Sequence, residues 1–460
     1  MKKIICFLLV VTMLFATGCT QNTDIDENTV NVEQLLKEYV NNVDKFETPI
    51  RQVGEPTSYI SMEENMAVGI FYPETDVKSL NMAIENWIED TVKYYKEDVL
   101  STSDEDSSSE LTVTYSSYLI NDEISSVKLK GTFISSQMAH PVDIAKVFMT
   151  KGKDIITITD IIKEKEFGNF AKLIASKAGV QEELIDKEFL ENTILTNNGV
   201  EVVLERGKYL PMSDGTVEIK LSYDEAKKFL EEDFDFMQKE ELNIETEKVE
   251  LPAPSEIDPN KPMVALTFDD GPSVHTKRLL DIYKKHGGKG TFFVLGYLVK
   301  GNEDVLKRAV SEGHELGNHS WDHSQLTNLS DEQLTDQIMQ TRAVITAATG
   351  IDTKIMRPPY GACNEEVLKI GKNLDVSFVN WSVDTLDWKT RNADAIYNEI
   401  MNNVSDGSII LCHDLHGTTV DAMERVIPDL IAKGYQLVTV TELLEYGDGA
   451  VEPGKMYYRK

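Results

Sequence analysis

The chain has 460 residues, room for about three domains of roughly 150 residues each. Its apolar fraction of 41% is ordinary for a globular protein and excludes a disordered or polytopic-membrane chain. Against 46 Lys and Arg stand 78 Asp and Glu, a net charge of −32, so nucleic acid is not an expected partner: its phosphates would be repelled, with no basic surface to neutralise them.

The charge is front-loaded, with 50 acids and 25 bases in residues 1–260 but 28 and 21 in 261–460. The histidines divide the other way, because only His140 precedes residue 261. Imidazole is the commonest metal ligand and general acid or base, so chemistry is expected in the C-terminal part.

From the N-terminus, Lys2 and Lys3 precede the apolar run Ile4–Phe15, followed by Ala16-Thr17-Gly18-Cys19. This reads as a secretory signal with a small-residue cleavage site. At about 12 residues the run is too short to span a bilayer, which takes about 20. An ordinary signal with an incidental cysteine stays open, but residues 1–18 resemble a bacterial lipoprotein signal with Cys19 as the lipidated first residue, although Ala16 stands where Leu is usual. Two acyl chains there would anchor an exported protein to the cell membrane, facing the wall. Cys363 and Cys412 are the cysteines then left. Whether they pair stays open, and both are expected as buried small hydrophobes.

Residues 19–45 read as an acidic tether, helical around Val32–Val40. Residues 46–238 alternate strand-like runs (Met66–Tyr72, Leu111–Ile120, Ser125–Ile134, Val200–Glu205) with amphipathic helices (Leu80–Tyr95, Phe167–Ala178), an α+β accessory region in two parts, about 46–150 and 151–238. Ser101–Glu110 is too polar for a core and is expected as a loop. Residues 239–260, with Pro252, Pro254 and Pro259 among acids, read as an extended linker. Over 261–447 short buried strands alternate with helices: Met263–Phe268, then Ser273–His286; Gly290–Leu295, then Glu303–Glu312; Glu315–Asn318, then Asp331–Thr349. The fold class is therefore α/β, a parallel sheet or barrel whose site gathers at the C-terminal strand ends, and 448–460 is expected as a tail.

Strand Met263–Phe268 runs into Asp269-Asp270-Gly271-Pro272, which alone is an ordinary turn sequence. His319 and His323 lie four apart after another strand and, in one helical turn, would face the same side. Together an acid and two histidines supply the three protein ligands of an open catalytic metal site, leaving a position for water. A second carboxylate beside it could take that water's proton.

Thr267–Gly271 (TFDDG), His319–His323 (HSWDH), Arg357–Gly361 (RPPYG), Asp384–Trp388 (DTLDW) and Leu411–His413 (LCH) resemble the five ordered motifs of the polysaccharide deacetylases, carbohydrate esterase family 4, over about residues 257–447. The resemblance implies a distorted (β/α) barrel. It implies Asp269 as catalytic base and Asp270, His319 and His323 as metal ligands. Arg357 would orient the base carboxylate, and the Tyr360 N–H would stabilise the oxyanion. His413 would be the general acid, paired with Asp387, while Trp388 and Leu411 would form the acetyl pocket. Trp321 and Asp322 would pack around the ligands. His416 is left unassigned, and His275, His286 and His314 are taken as structural or exposed.

The metal would be one divalent ion, zinc by default, with cobalt, manganese or nickel also suited to such ligands. Leu195–Tyr223 resembles the domains of unknown function that precede the deacetylase module in peptidoglycan deacetylases of the PdaC type, from which no site residue carries over. The expected function is metal-dependent removal of N-acetyl groups from peptidoglycan amino sugars (GlcNAc or MurNAc). A chitooligosaccharide deacetylase, an O-acetyl polysaccharide esterase and a non-catalytic wall-binding lipoprotein stay open as alternatives.

Overall fold

The computed structural model describes residues 31–46, 53–63, 66–99, 109–136, 138, 141–181, 183, 185–204, 217–231, 249–252, 257–447 and 449–460. The signal-like segment with Cys19, the 101–108 stretch, His140 and most of the proline-rich linker lie outside them. No helix among the described residues is long and apolar enough to cross a membrane.

Strands β1 (Glu55–Glu63), β2 (Met66–Glu74), β3 (Ser109–Leu119), β4 (Ile124–Ser135), β5 (Val142–Lys151) and β6 (Asp154–Ile156) form one sheet in chain order. Neighbours are antiparallel except β2 and β3, which run parallel with helix Lys78–Lys93 between them. The period of two along a strand sends alternate side chains to different cores. On β5, Ile144 and Phe148 pack with Leu80, Ile84 and Ile88 of that helix, whereas Ala145, Val147 and Met149 face Phe170 and Ile174 of helix Phe167–Ala178. The second layer continues as β7 (Thr193–Thr196), β8 (Gly199–Leu204) and β9 (Val217–Ser222), an antiparallel sheet. Lys128 of β4 bridges the layers: its ammonium lies 2.5 Å from Glu201 and 3.2 Å from Glu218. The loop expected at Ser101–Glu110 ends early, because Ser109 and Glu110 open β3 and are buried.

The C-terminal sheet is all parallel, in the order β15 (Val383–Asp384), β16 (Ser408–His413), β10 (Met263–Gly271), β11 (Thr291–Val294), β12 (Glu315–Asn318), β13 (Ile355–Met356), β14 (Ser377–Val379), β18 (Met456–Tyr457), with β17 (Gln436–Leu437) on β10. Its strands read as continuous apolar runs because helices cover the outer face; every residue of β10, β11 and β16 is buried. The covering helices carry clear boundary chemistry. Asp331–Thr349 starts on a Ser330/Gln333 capping box and stops at left-handed Gly350. The segment expected as a tail is instead a stave: β18 pairs with β14, and Arg459 bridges to Ser408 of β16, curling the sheet toward closure as a distorted (β/α) barrel. Hydrophobic runs of two residues are too short to read as strands, which is why β18 reads as tail.

Helix Val32–Val40 packs on helix Asp331–Thr349, with Leu36 against Leu334 and Ile338 and the Tyr39 hydroxyl donating to Asp336 at 2.5 Å. Just beyond it, the Phe46 ring meets Trp321 edge-on at 5.6 Å. The accessory sheet shares one continuous apolar core with the barrel, the Phe71 ring meeting the Tyr297 ring edge-on at 6.5 Å.

Candidate metal and hydrolytic site

The parallel register sets the site. Asp269 stands beside His413 across β10 and β16, and Asn318, which ends β12, stands beside Val294 of β11, so the loops leaving adjacent strands converge. Asp269, Asp270, His319, His323 and His413 are all 7% exposed or less. Six of the seven described non-glycine residues with positive φ flank the same place: Asp270, Ser320, His323, Tyr360, Leu386 and Arg391. Left-handed backbone at such residues is uncommon and costs of order 1–3 kcal/mol each, and it gathers where loops must aim side chains inward.

Asp270, His319 and His323 offer one ligand atom each, all within 4.8 Å of one another. Both Nε2 atoms face Asp270 Oδ1, at 3.3 Å from His319 and 3.4 Å from His323. The His319 Nδ1–H donates to the Arg357 carbonyl at 2.8 Å, which leaves Nε2 as the free lone pair. Burial holds His323 neutral, its pKa pulled down to about 3. Burial alone would raise Asp270, but the surrounding histidines, His323, His319 and His413, outweigh it and pull the carboxyl well below the ordinary range. Neither Asp270 oxygen has a hydrogen-bond partner among the described residues although both are buried. A buried carboxylate without donors is costly unless a cation meets it. The donor set therefore fits a divalent metal, two neutral imidazoles and one carboxylate being a usual three-ligand catalytic arrangement. The pair does not lie on a helical turn as expected, because Ser320 (φ 69°) and His323 (φ 71°) break any helix and the imidazoles converge from a loop.

Arg357 is fully buried and donates from Nη1 to Asp269 Oδ1 and to Thr267 Oγ1, both at 2.7 Å. Its Nε and Nη2 go to the Val379 and Asn380 carbonyls at 3.1 Å, and its plane lies 4.3 Å from the Phe293 ring centroid. The guanidinium is thus locked and holds Asp269 in one rotamer.

Opposite, Asp387 is fully buried and accepts from His413 Nδ1 at 2.8 Å, the His413 N–H at 2.7 Å, the Trp388 N–H at 2.8 Å and the Thr419 hydroxyl at 2.8 Å. Burial by itself would lower the His413 pKa, but the Asp387 charge and hydrogen bond outweigh it and push it up to about 10. His413 is therefore an imidazolium, a proton donor, at neutral pH.

A cavity of about 240 Å³ is lined by Asp269, His319, His323 and His413 and walled by Tyr360, Trp388 and Leu411. Every catalytic, pocket and metal residue named from the sequence thus lies in or beside one cavity, with Cys19 outside the described residues. The sequence reading missed Trp381, Asp384 and Ile60, which also line it. Asp384 and Trp381 sit in or near a motif that could have flagged them, whereas Ile60 lies about 200 residues away in the accessory sheet with no local signal. His416 lies beside the acid, its ring 6.4 Å from His413, with Nδ1 accepting from Arg391. His314 is structural, accepting the Gly290 N–H at 3.0 Å and stacked edge-on against Tyr283. Cys363 and Cys412 do not pair; Cys412 is buried as expected, but Cys363 is only partly so.

Residues 256–379 match the family model described as polysaccharide deacetylase. The chain is 43% identical over 198 residues to a Listeria monocytogenes peptidoglycan-N-acetylglucosamine deacetylase, PgdA (43% of this chain, 41% of the relative), and 44% over 200 residues to the Bacillus subtilis peptidoglycan-N-acetylmuramic acid deacetylase PdaC (43% and 42%). It thus spans about two fifths of the length of these relatives. A peptidoglycan-N-acetylglucosamine deacetylase of Bacillus cereus is 35% identical over 197 residues, 42% of this chain and 92% of that protein. With the motif residues assembled around one cavity and a relative matched over nearly its whole length, this chain belongs to the polysaccharide deacetylase family.

Proposed function

We propose that the protein is a metal-dependent N-deacetylase of cell-wall peptidoglycan, exported and held at the membrane by a lipid on Cys19. The observation that carries the hydrolytic reading is the placement of two opposed proton-handling groups on one cavity: Asp269, held by Arg357, and His413, charged by Asp387. Asp270, His319 and His323 would hold the metal, zinc by preference. When bound, the ion supplies Lewis-acid polarisation of the acetyl carbonyl and acidifies a nearby water.

Asp269 takes a proton from the attacking water as its oxygen bonds to the acetyl carbon. The Tyr360 N–H is the oxyanion donor, aimed at charge that exists only in the transition state. His413 gives its proton to the sugar nitrogen as the C–N bond breaks, so acetate and a free amine leave. Trp388 and Leu411 offer the methyl group an apolar surface, which disfavours bulkier acyl groups.

Peptidoglycan as substrate is supported by the names of the relatives above and by the lipoprotein-like signal. The test is mass spectrometry of muramidase-digested peptidoglycan incubated with the protein and a divalent metal. Loss of acetyl groups from one sugar type supports the reading and separates GlcNAc from MurNAc; loss only from acetylated xylan or chitooligosaccharide would keep the hydrolysis and overturn the substrate. Anchoring is tested separately, since Cys19→Ala should move the protein from the membrane fraction to the soluble one.

A further inference from the structure

One wall of the catalytic cavity comes from the accessory sheet. In the β1–β2 ladder Ile60 stands opposite Gly69 and Ser58 opposite Phe71, so these four share one face, while Val68 and Ile70 point the other way into the sheet's own core. The shared face looks into the barrel's mouth. Ile60 lines the cavity together with Asp269, His323 and His413. The Phe71 ring meets the His323 ring edge-on at 5.4 Å. At Gly69 a Cβ would collide with the Tyr360 hydroxyl and lie 3.3 Å from His323 Nδ1, so the strand backbone itself presses against the metal-ligand and oxyanion residues. A glycine inside a strand marks such close approach.

Two polar residues pin the wall in place. Buried Glu110 of β3 accepts the Gln325 N–H at 2.7 Å and Asn328 Nδ2 at 3.2 Å, holding the loop that leaves His323. Arg391 joins the Ser58 carbonyl (2.9 Å) to the Trp388 carbonyl (3.0 Å) on the other side of the mouth. These contacts surround the site and are continuous with a shared apolar core, which is the anatomy of a built interface.

We propose that the β1–β2 hairpin forms one wall of the substrate cleft and that Ile60 is a specificity-determining residue contacting the bound sugar. The proposal rests on the deacetylase reading and adds to it that substrate choice is made jointly by the accessory sheet and the barrel. Pockets for drug-sized ligands run about 300–1,000 Å³. The walled cavity, about 240 Å³, therefore suits one acetylated sugar ring, with the neighbouring sugars of the glycan outside.

The test compares the full chain with Ile60→Trp and Ile60→Ala, using metal-loaded protein, on a tetrasaccharide of N-acetylglucosamine and on 4-nitrophenyl acetate. In Ile60→Trp the ratio of kcat/KM for tetrasaccharide to that for the aryl ester should fall at least about tenfold, the scale on which a filled pocket discriminates. In Ile60→Ala the tetrasaccharide KM should rise several-fold, the change being carried by KM rather than kcat. Tetrasaccharide KM within about twofold of the natural chain's in both variants would overturn the proposal. So would a parallel fall of kcat on both substrates at constant KM, the mark of a purely structural role. If the natural chain hydrolyses the aryl ester but releases acetate from neither the tetrasaccharide nor muramidase-digested peptidoglycan, the deacetylase reading fails instead; the wall is then judged on aryl-ester KM, raised in Ile60→Trp if Ile60 lines the cleft and unchanged if it does not.

Discussion

Asp387→Asn removes the charge behind the proton donor while keeping the shape of the side chain. Asp387 Oδ1 lies 2.8 Å from His413 Nδ1, with both groups buried. At an effective dielectric constant of about 20, unit charges about 4 Å apart interact by about 4 kcal/mol, or about 3 pKa units at 1.36 kcal/mol per unit. The His413 pKa of about 10, which already includes the lowering effect of burial, should therefore drop to about 7. The protonated form is the working one, and its share is lost as pH rises through the pKa. The basic limb of the kcat/KM profile should thus move about 3 units toward acid, with turnover about one unit below the natural chain's limb falling about 100-fold and most of it returning about four units below that limb. A cation in the Asp270 triad lowers the starting value in both proteins, because the Asp270 and Asp269 charges also raise it, but leaves the difference between them intact. The assay is acetate release from a soluble N-acetylated glycan between pH 5 and 10, with metal content measured alongside. A basic limb that stays put while kcat drops uniformly would show that Asp387 only positions the ring, and the proton-donor argument would be refuted.

His319→Ala should empty the metal site on elemental analysis, whereas His413→Ala should keep its metal and lose about 10²–10⁴ in turnover; stoichiometric metal in the first would contradict the ligand assignment. Arg357→Ala strands the buried Asp269 carboxylate and should cost about 3–5 kcal/mol in denaturant unfolding. Arg357→Lys should not restore activity, since one ammonium cannot serve Asp269, Thr267, Val379 and Asn380 together; equal activity would sink that view. In the accessory layers Lys128→Ala leaves buried Glu201 with Lys220, 3.9 Å away, as its remaining cation among the described residues, so a loss of about 3 kcal/mol is expected, and less than about 1 would refute it. Burial opposes ionisation of Glu218, but Lys128 and Lys130 prevail and hold its pKa down to about 2. Its contribution should therefore be present above the ordinary carboxylate value and be lost as pH falls toward 2, measurable as a falling unfolding midpoint in the natural chain and a flatter one in Lys128→Ala.

The sequence by itself determined the barrel's buried strands and the chemistry at their ends. A parallel strand covered on both faces must be an unbroken apolar run, so Met263–Phe268 is legible, and the carboxylates and imidazoles that follow such runs stand out against them. Helix Phe167–Ala178 was legible in the same local way, with left-handed Gly179 ending it. What sequence could not supply was anything fixed by partners distant in the chain. The two-residue strand Met456–Tyr457 exists only because β14 is there to pair with it, and the convergence of His319 and His323 depends on left-handed backbone that no helical period describes. Ile60 is an ordinary strand residue until β2 lays Gly69 on Tyr360 and His323. Local pattern records which side a residue buries, but only tertiary packing decides what it is buried against, and here that made an accessory strand part of the active-site wall.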